Sequence, residues 1–237
     1  VISILDVSIR RTTLLLLGIA VLLTLAGAAV LYVNLQQNPD QLSREGVQGF
    51  ARLFDLASEA NIPTWFKSTI FVVSSLLLWT IWLAKKAGDA PYARHWRDLS
   101  VVFALLSIDE VSTLHEEIGA LISDTVETSG VFLFGWVILG IVFVSLFVIL
   151  YFNFLRSLPR MPRTLFILSG TIYVGAVLGL KMVEGWYLVN NAQIDLVFIG
   201  LITAKQFLQM FGAILFLYAL LGYTRYNVEE GILHITD

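Results

Sequence analysis

The chain has 237 residues, of which 57% are hydrophobic and 14% charged; it has no cysteine, a mean hydropathy of +0.81 and a formal net charge of −3. That balance lies far outside the soluble globular range and gives no reason to expect nucleic acid as a partner. The lack of cysteine excludes disulfides, thiolate metal ligands and a cysteine nucleophile, and covalently attached haem is not expected.

Six apolar segments succeed one another, at 12–33, 64–84, 98–122, 131–155, 164–188 and 196–222. Each is near the roughly 20 residues that cross a bilayer as a helix. Residues 1–237 therefore read as a single all-α domain, a polytopic membrane helix bundle. The first segment opens on Arg10 and Arg11 and passes Ala26-Gly27-Ala28, a pattern resembling a cleavable secretory signal. Its apolar character continues to Val33, so it reads as a retained span.

Between the first two spans, Val47, Phe50, Ala51, Phe54 and Ala57 recur at helical spacing, while Arg44, Gln48, Asp55 and Glu59 fall elsewhere on the wheel. This predicts an amphipathic interfacial helix over 41–60, capped by Asp40 or Ser43, with Pro63 opening the second span.

The third span carries the most informative run, Ser107-Ile108-Asp109-Glu110-Val111-Ser112-Thr113-Leu114-His115-Glu116-Glu117. A carboxylate deep in a bilayer costs at least several kcal/mol unless it is paired, protonated or wet. As one continuous helix, the span places Asp109 and Glu110 about 18–20 Å in, with His115 to Glu117 near the far boundary. Asp109, Ser112, Thr113 and Glu116 then share a stripe, and His115 points away from it.

In the fourth and fifth spans small residues mark packing: Gly135 and Gly140, then the Gly175/Gly179 G-x-x-x-G face, which predicts that these two spans are central to the bundle. Lys181 and Glu184 share a face of the fifth span, and Lys205 and Gln209 a face of the sixth, with Gln206 beside them. Matching depths predict buried pairs of Lys205 with Asp109 or Glu110, and of Lys181 with Glu116, Glu117 or Glu184.

Basic residues give an orientation. With the N-terminus cytoplasmic, the cytoplasmic ends hold Arg10, Arg11, Lys85, Lys86, Arg94, Arg97, Arg156, Arg160, Arg163 and Arg225, and the opposite side holds Arg44, Arg52 and Lys67. The positive-inside rule then places both termini in the cytoplasm.

There is no Gly-rich phosphate loop, no H-E-x-x-H and no G-x-S-x-G. A bis-histidine haem needs two facing histidines within the membrane, and only His115 qualifies. A divalent metal is the cofactor class the sequence leaves open, with Asp109, Glu110, His115 and Glu116 as its ligands.

The run from Ser107 to Glu116 resembles the D-E-x-x-x-x-H-E signature of a group of uncharacterised bacterial multi-pass membrane proteins. Their last span carries an acidic E-x-x-E, and the matching stretch here, Ala204 to Gly212, has Gln206 and Gln209 in its place and adds Lys205. The resemblance implies a buried acidic and histidine cluster and a bacterial inner membrane. It also implies weaker metal binding here than in those relatives.

Three functional readings are compatible with these features. The chain is a non-enzymatic accessory or assembly subunit, whose partners are the lipid bilayer and other membrane chains. Alternatively it is a membrane-embedded metal-dependent enzyme, or a proton or ion translocator. The first is the leading expectation.

Overall fold

The computed structural model describes residues 8–37, 47, 49–191 and 194–229. Its helices are α1 (Ile9–Gln37), α2 (Ile62–Ala87), α3 (Ala93–Ser112), α4 (Leu114–Thr125), α5 (Trp136–Ser157), α6 (Arg160–Val174), α7 (Lys181–Asn190) and α8 (Leu196–Glu229). Short 3₁₀ segments occupy Gly49–Phe54 and Gly130–Phe132, and a π-helical segment, Gly175–Leu180, joins α6 to α7 in one continuous rod. No strand occurs among the described residues.

Among the described residues, five helical stretches are long and apolar enough to cross a membrane: Ile9–Gln37, Ile62–Ala87, Trp136–Ser157, Arg160–Asn190 and Leu196–Arg225. The 20-residue α3 has the length too, but carries Arg94, Arg97 and Asp98 at one end and Asp109 and Glu110 at the other. In water-free surroundings a helix satisfies its own backbone, which is why chains this apolar fold as rods.

Helix α2 starts where Asn61 accepts hydrogen bonds from the Thr64 backbone N–H (2.8 Å) and hydroxyl (2.7 Å), with Pro63 in the first turn. It ends with Lys85 and Lys86 in its last turn, which complement the helix dipole. A short turn returns the chain into α3, and the two helices form the most extensive interface of the fold. Two reciprocal serine pairs fasten it. Ser68 and Ser107 each donate to the other's backbone carbonyl (3.0 and 3.1 Å), and Ser75 and Ser100 do the same (2.8 and 2.9 Å). The seven-residue spacing on both arms of the hairpin is that of an antiparallel coiled seam, and small hydroxyl residues let the backbones close up.

Helix α8 runs through the centre, against α1, α2 and α6. Near the end rich in Lys and Arg, Trp96 stacks on Tyr223 (4.8 Å) above Phe154 and Leu220. Mid-bundle, Phe71 meets Phe103 and Tyr173 edge-on beside Met210 and Ile214. At the opposite end Leu56 and Leu31 are buried with Ile199 and Ile202.

Several expectations change. The stretch 98–122 is two helices rather than one, because Thr113 adopts a left-handed conformation (φ 55°) between α3 and α4. Of the interfacial helix expected over 41–60, residues 41–46 and 48 lie outside the described residues. From Gly49 onwards the chain forms one 3₁₀ segment whose Phe50 is exposed, then a turn closed on the buried Asp55. Gly175 and Gly179 do not form a packing face, since a Cβ at either would meet open space. The π segment adds a residue to the turn and takes residues four apart off a common line. Close approach occurs at Gly135 and Gly140, as expected, where a Cβ would stand 2.8 Å from the Gly119 carbonyl and 2.7 Å from the Leu178 side chain, and also at Gly27, Gly185 and Gly212, the last 3.0 Å from the Tyr173 backbone nitrogen. The central helices are α2 and α8, each half-buried along its most apolar stretch, whereas α5 is mostly open along its length.

Candidate functional site

Polar residues gather towards the end of the bundle opposite the basic one. Lys67 lies about 7 Å along α2 from its start and is 3% exposed. Its ammonium has three donors and three acceptors: Glu110 Oε2 at 2.9 Å, Gln206 Oε1 at 3.1 Å and Gln209 Oε1 at 2.6 Å. Gln206 in turn donates to the Leu56 carbonyl (3.1 Å), and the Tyr173 hydroxyl donates to Glu110 Oε1 (3.3 Å). One cation thus joins α2, α3 and α8, with α6 attached through Tyr173.

Next to it, α3 stops. The Ser112 hydroxyl donates back to the Ile108 carbonyl (2.7 Å), a bond that competes with helix continuation. Thr113 then turns the chain with a positive φ that a β-branched residue adopts only under constraint. The turn folds His115 back onto Asp109. Asp109 Oδ1 accepts the His115 backbone N–H (2.8 Å), and Oδ2 stands 2.9 Å from ring Nδ1. The other ring nitrogen, Nε2, is 3.3 Å from Glu59 Oε1, and Trp136 meets the ring edge-on at 4.8 Å. The ring belongs to α4, beyond the end of α3. Burial lowers its pKa, but hydrogen bonds to Asp109 and Glu59 outweigh that and push it up to about 9.

A third group joins α7 to α8. Lys205 reaches Glu184 at 2.8 Å, and Lys181 approaches Glu184 at 3.6 Å while lying 3.9 Å over the Phe134 ring. With His115 protonated, the cations Lys67, His115, Lys181 and Lys205 balance the carboxylates Glu59, Asp109, Glu110 and Glu184. Charges this buried persist only when matched in this way.

The sequence-derived cluster therefore divides. Asp109 and His115 are partners, although a continuous helix would have pointed them apart. Glu110 pairs with Lys67 rather than Lys205. Lys205 pairs with Glu184 rather than Asp109 or Glu110, and Lys181 takes Glu184 from among its expected partners. Gln206 and Gln209 serve Lys67, Ser112 and Thr113 form the turn, and Glu116 is exposed. Asp109 and Glu110 lie in the last turn of α3, which runs from Ala93 to Ser112. Of the four expected metal ligands, Asp109 is engaged by His115 and Glu110 by Lys67. The donor atoms that do converge belong to Glu59, His115 and Glu116.

Sequence reasoning missed Lys67, Glu59 and Tyr173. The signal for Lys67 was its place four residues beyond Pro63, inside the apolar run rather than before it. For Glu59 no comparable signal exists, since it reaches His115 across 56 residues through a turn that no periodicity announces.

No curated protein and no solved structure matches this chain. A family model described as a domain of unknown function, DUF8692, matches residues 10–223. That match runs from the start of α1 to the last turns of α8, and the chain belongs to that family.

Proposed function

We propose that this protein is a six-span component of a bacterial inner membrane, with both termini cytoplasmic, acting as a non-enzymatic accessory or assembly subunit of a larger membrane complex. The observation that carries the reading is Lys67, whose three donors are all spent on neighbouring helices of the same chain. A cation held that way fixes helix register and has no donor left for a substrate. The Lys205–Glu184 pair does the same between α7 and α8.

Supporting the topology, α3 completes the hairpin with α2 and serves as the sixth span. The basic residues at the ends of α1, α2, α3, α5, α6 and α8 all fall on one side, as the positive-inside rule requires of a cytoplasmic face. Helix α5 supports a role in assembly. Phe143, Leu146, Ile149 and Leu150 are at least half exposed along its middle, a surface for lipid or for another apolar helix.

The test is native mass spectrometry of the chain released from mild detergent, together with a photocrosslinker placed at Leu146. The expected result is a second membrane chain at fixed stoichiometry, crosslinked through α5. A chain that flies alone and crosslinks only to lipid refutes the subunit reading. Proton or cation flux in liposomes that is abolished by Asp109→Asn would replace it with translocation.

A further inference from the structure

We infer that Glu59, His115 and Glu116 form a binding site for one divalent transition-metal ion, of the Mn²⁺, Fe²⁺ or Zn²⁺ class. One donor atom from each residue lies within 4.8 Å of the other two. Two ligands on a metal at about 2.1 Å stand about 3.0–3.4 Å apart, and His115 Nε2 and Glu59 Oε1 are already 3.3 Å apart. Glu116 is exposed, in the first turn of α4, so a side-chain rotation there closes the remaining gap without moving the backbone.

Two further observations point to an ion rather than to a plain hydrogen-bonded cluster. Asp109 holds His115 at the far ring nitrogen and at the backbone N–H. A carboxylate on one imidazole nitrogen, with the other nitrogen turned towards oxygen ligands, is the arrangement that orients a metal-bound histidine and raises its basicity. Glu59 Oε2 is enclosed by protein and accepts no hydrogen bond among the described residues, which leaves a lone pair free to bind a cation. The strained turn at Thr113 is what brings the ring to this place. Two carboxylates and one imidazole suit borderline cations, and three protein ligands leave coordination positions open to water. Asp109 is a positioning residue here, and Glu110 has no part.

The inference stands apart from the subunit reading, since an accessory chain can carry an ion and a lone chain can also bind one. Its test is Mn²⁺ titration of the untagged protein in lipid nanodiscs, followed by electron paramagnetic resonance, with Zn²⁺ competition as the second arm. The expected result is one saturable ion per chain, displaced by Zn²⁺, with affinity lowered at least ~10-fold by Glu59→Gln and by Glu116→Gln, and about 10–100-fold by Asp109→Asn. Glu116→Gln is the decisive variant, because an exposed side chain can change without unfolding the bundle; its thermal transition serves as the control. Absence of saturable binding below about 100 µM overturns the site, as does binding that neither Glu59→Gln nor Glu116→Gln weakens.

Discussion

Replacing Lys67 by Met tests the central ion pair directly. Methionine matches the length of the lysine stem but brings no donor. Glu110 would keep only the Tyr173 hydroxyl at 3.3 Å, with its side chain 13% exposed, and the amide oxygens of Gln206 and Gln209 would lose their ammonium. Removing one partner of a buried pair costs about 3–5 kcal/mol. At about 2–4 °C per kcal/mol for a chain of this size, the thermal midpoint should fall by about 6–20 °C. The double change Lys67→Met with Glu110→Leu removes both charges, and it should regain most of that loss because an apolar pair of similar volume is often neutral or better. Tryptophan fluorescence during thermal unfolding in a single detergent measures all three proteins. A single variant within about 1 kcal/mol of the parent would refute the reasoning, and so would a double variant no more stable than the single.

Lys205→Met should destabilise less than Lys67→Met, because Lys181 remains 3.6 Å from Glu184 and takes up part of the stranded charge. Glu184→Leu should rescue it and Asp109→Leu should not, as read by the same unfolding curves. Gly212→Ala should cost about 1–3 kcal/mol, since its methyl meets Tyr173 and Ser169 backbone at 3.0–3.2 Å. Gly179→Ala, facing open space, should be neutral or stabilising by up to about 1 kcal/mol. Equal losses at the two glycines would restore the G-x-x-x-G interpretation.

Helices were legible because hydrophobicity acts along the whole length of each apolar segment. Segments such as 64–84 and 196–222 lie inside the observed α2 and α8. The run around Asp109 was legible as a cluster needing polar partners because the cost of a carboxylate in lipid is local and large. Which partner each charge found was not, since pairing depends on helix adjacency, and adjacency comes from side-chain volumes summed over the bundle. The turn at Thr113 also stayed hidden. Nothing in Val111-Ser112-Thr113-Leu114 breaks a helix outright, and the turn is held by Asp109 capturing the His115 N–H, a bond that exists only once the turn has formed. The serine seam left a readable trace, the equal seven-residue gaps 68–75 and 100–107, but it becomes meaningful only when the two spans are known to be neighbours.

The Lys67 clasp has a consequence for biosynthesis. Its acceptors Gln206 and Gln209 lie 139 and 142 residues further along the chain. At about 5–20 residues per second, a ribosome delivers them about 7–28 s after the lysine has been made. The hairpin of α2 and α3 can close on its serines in the meantime, and Glu110 arrives first to neutralise the ammonium. The glutamines come last, so arrival of the final helix is the step that supplies the second and third acceptors of the lysine.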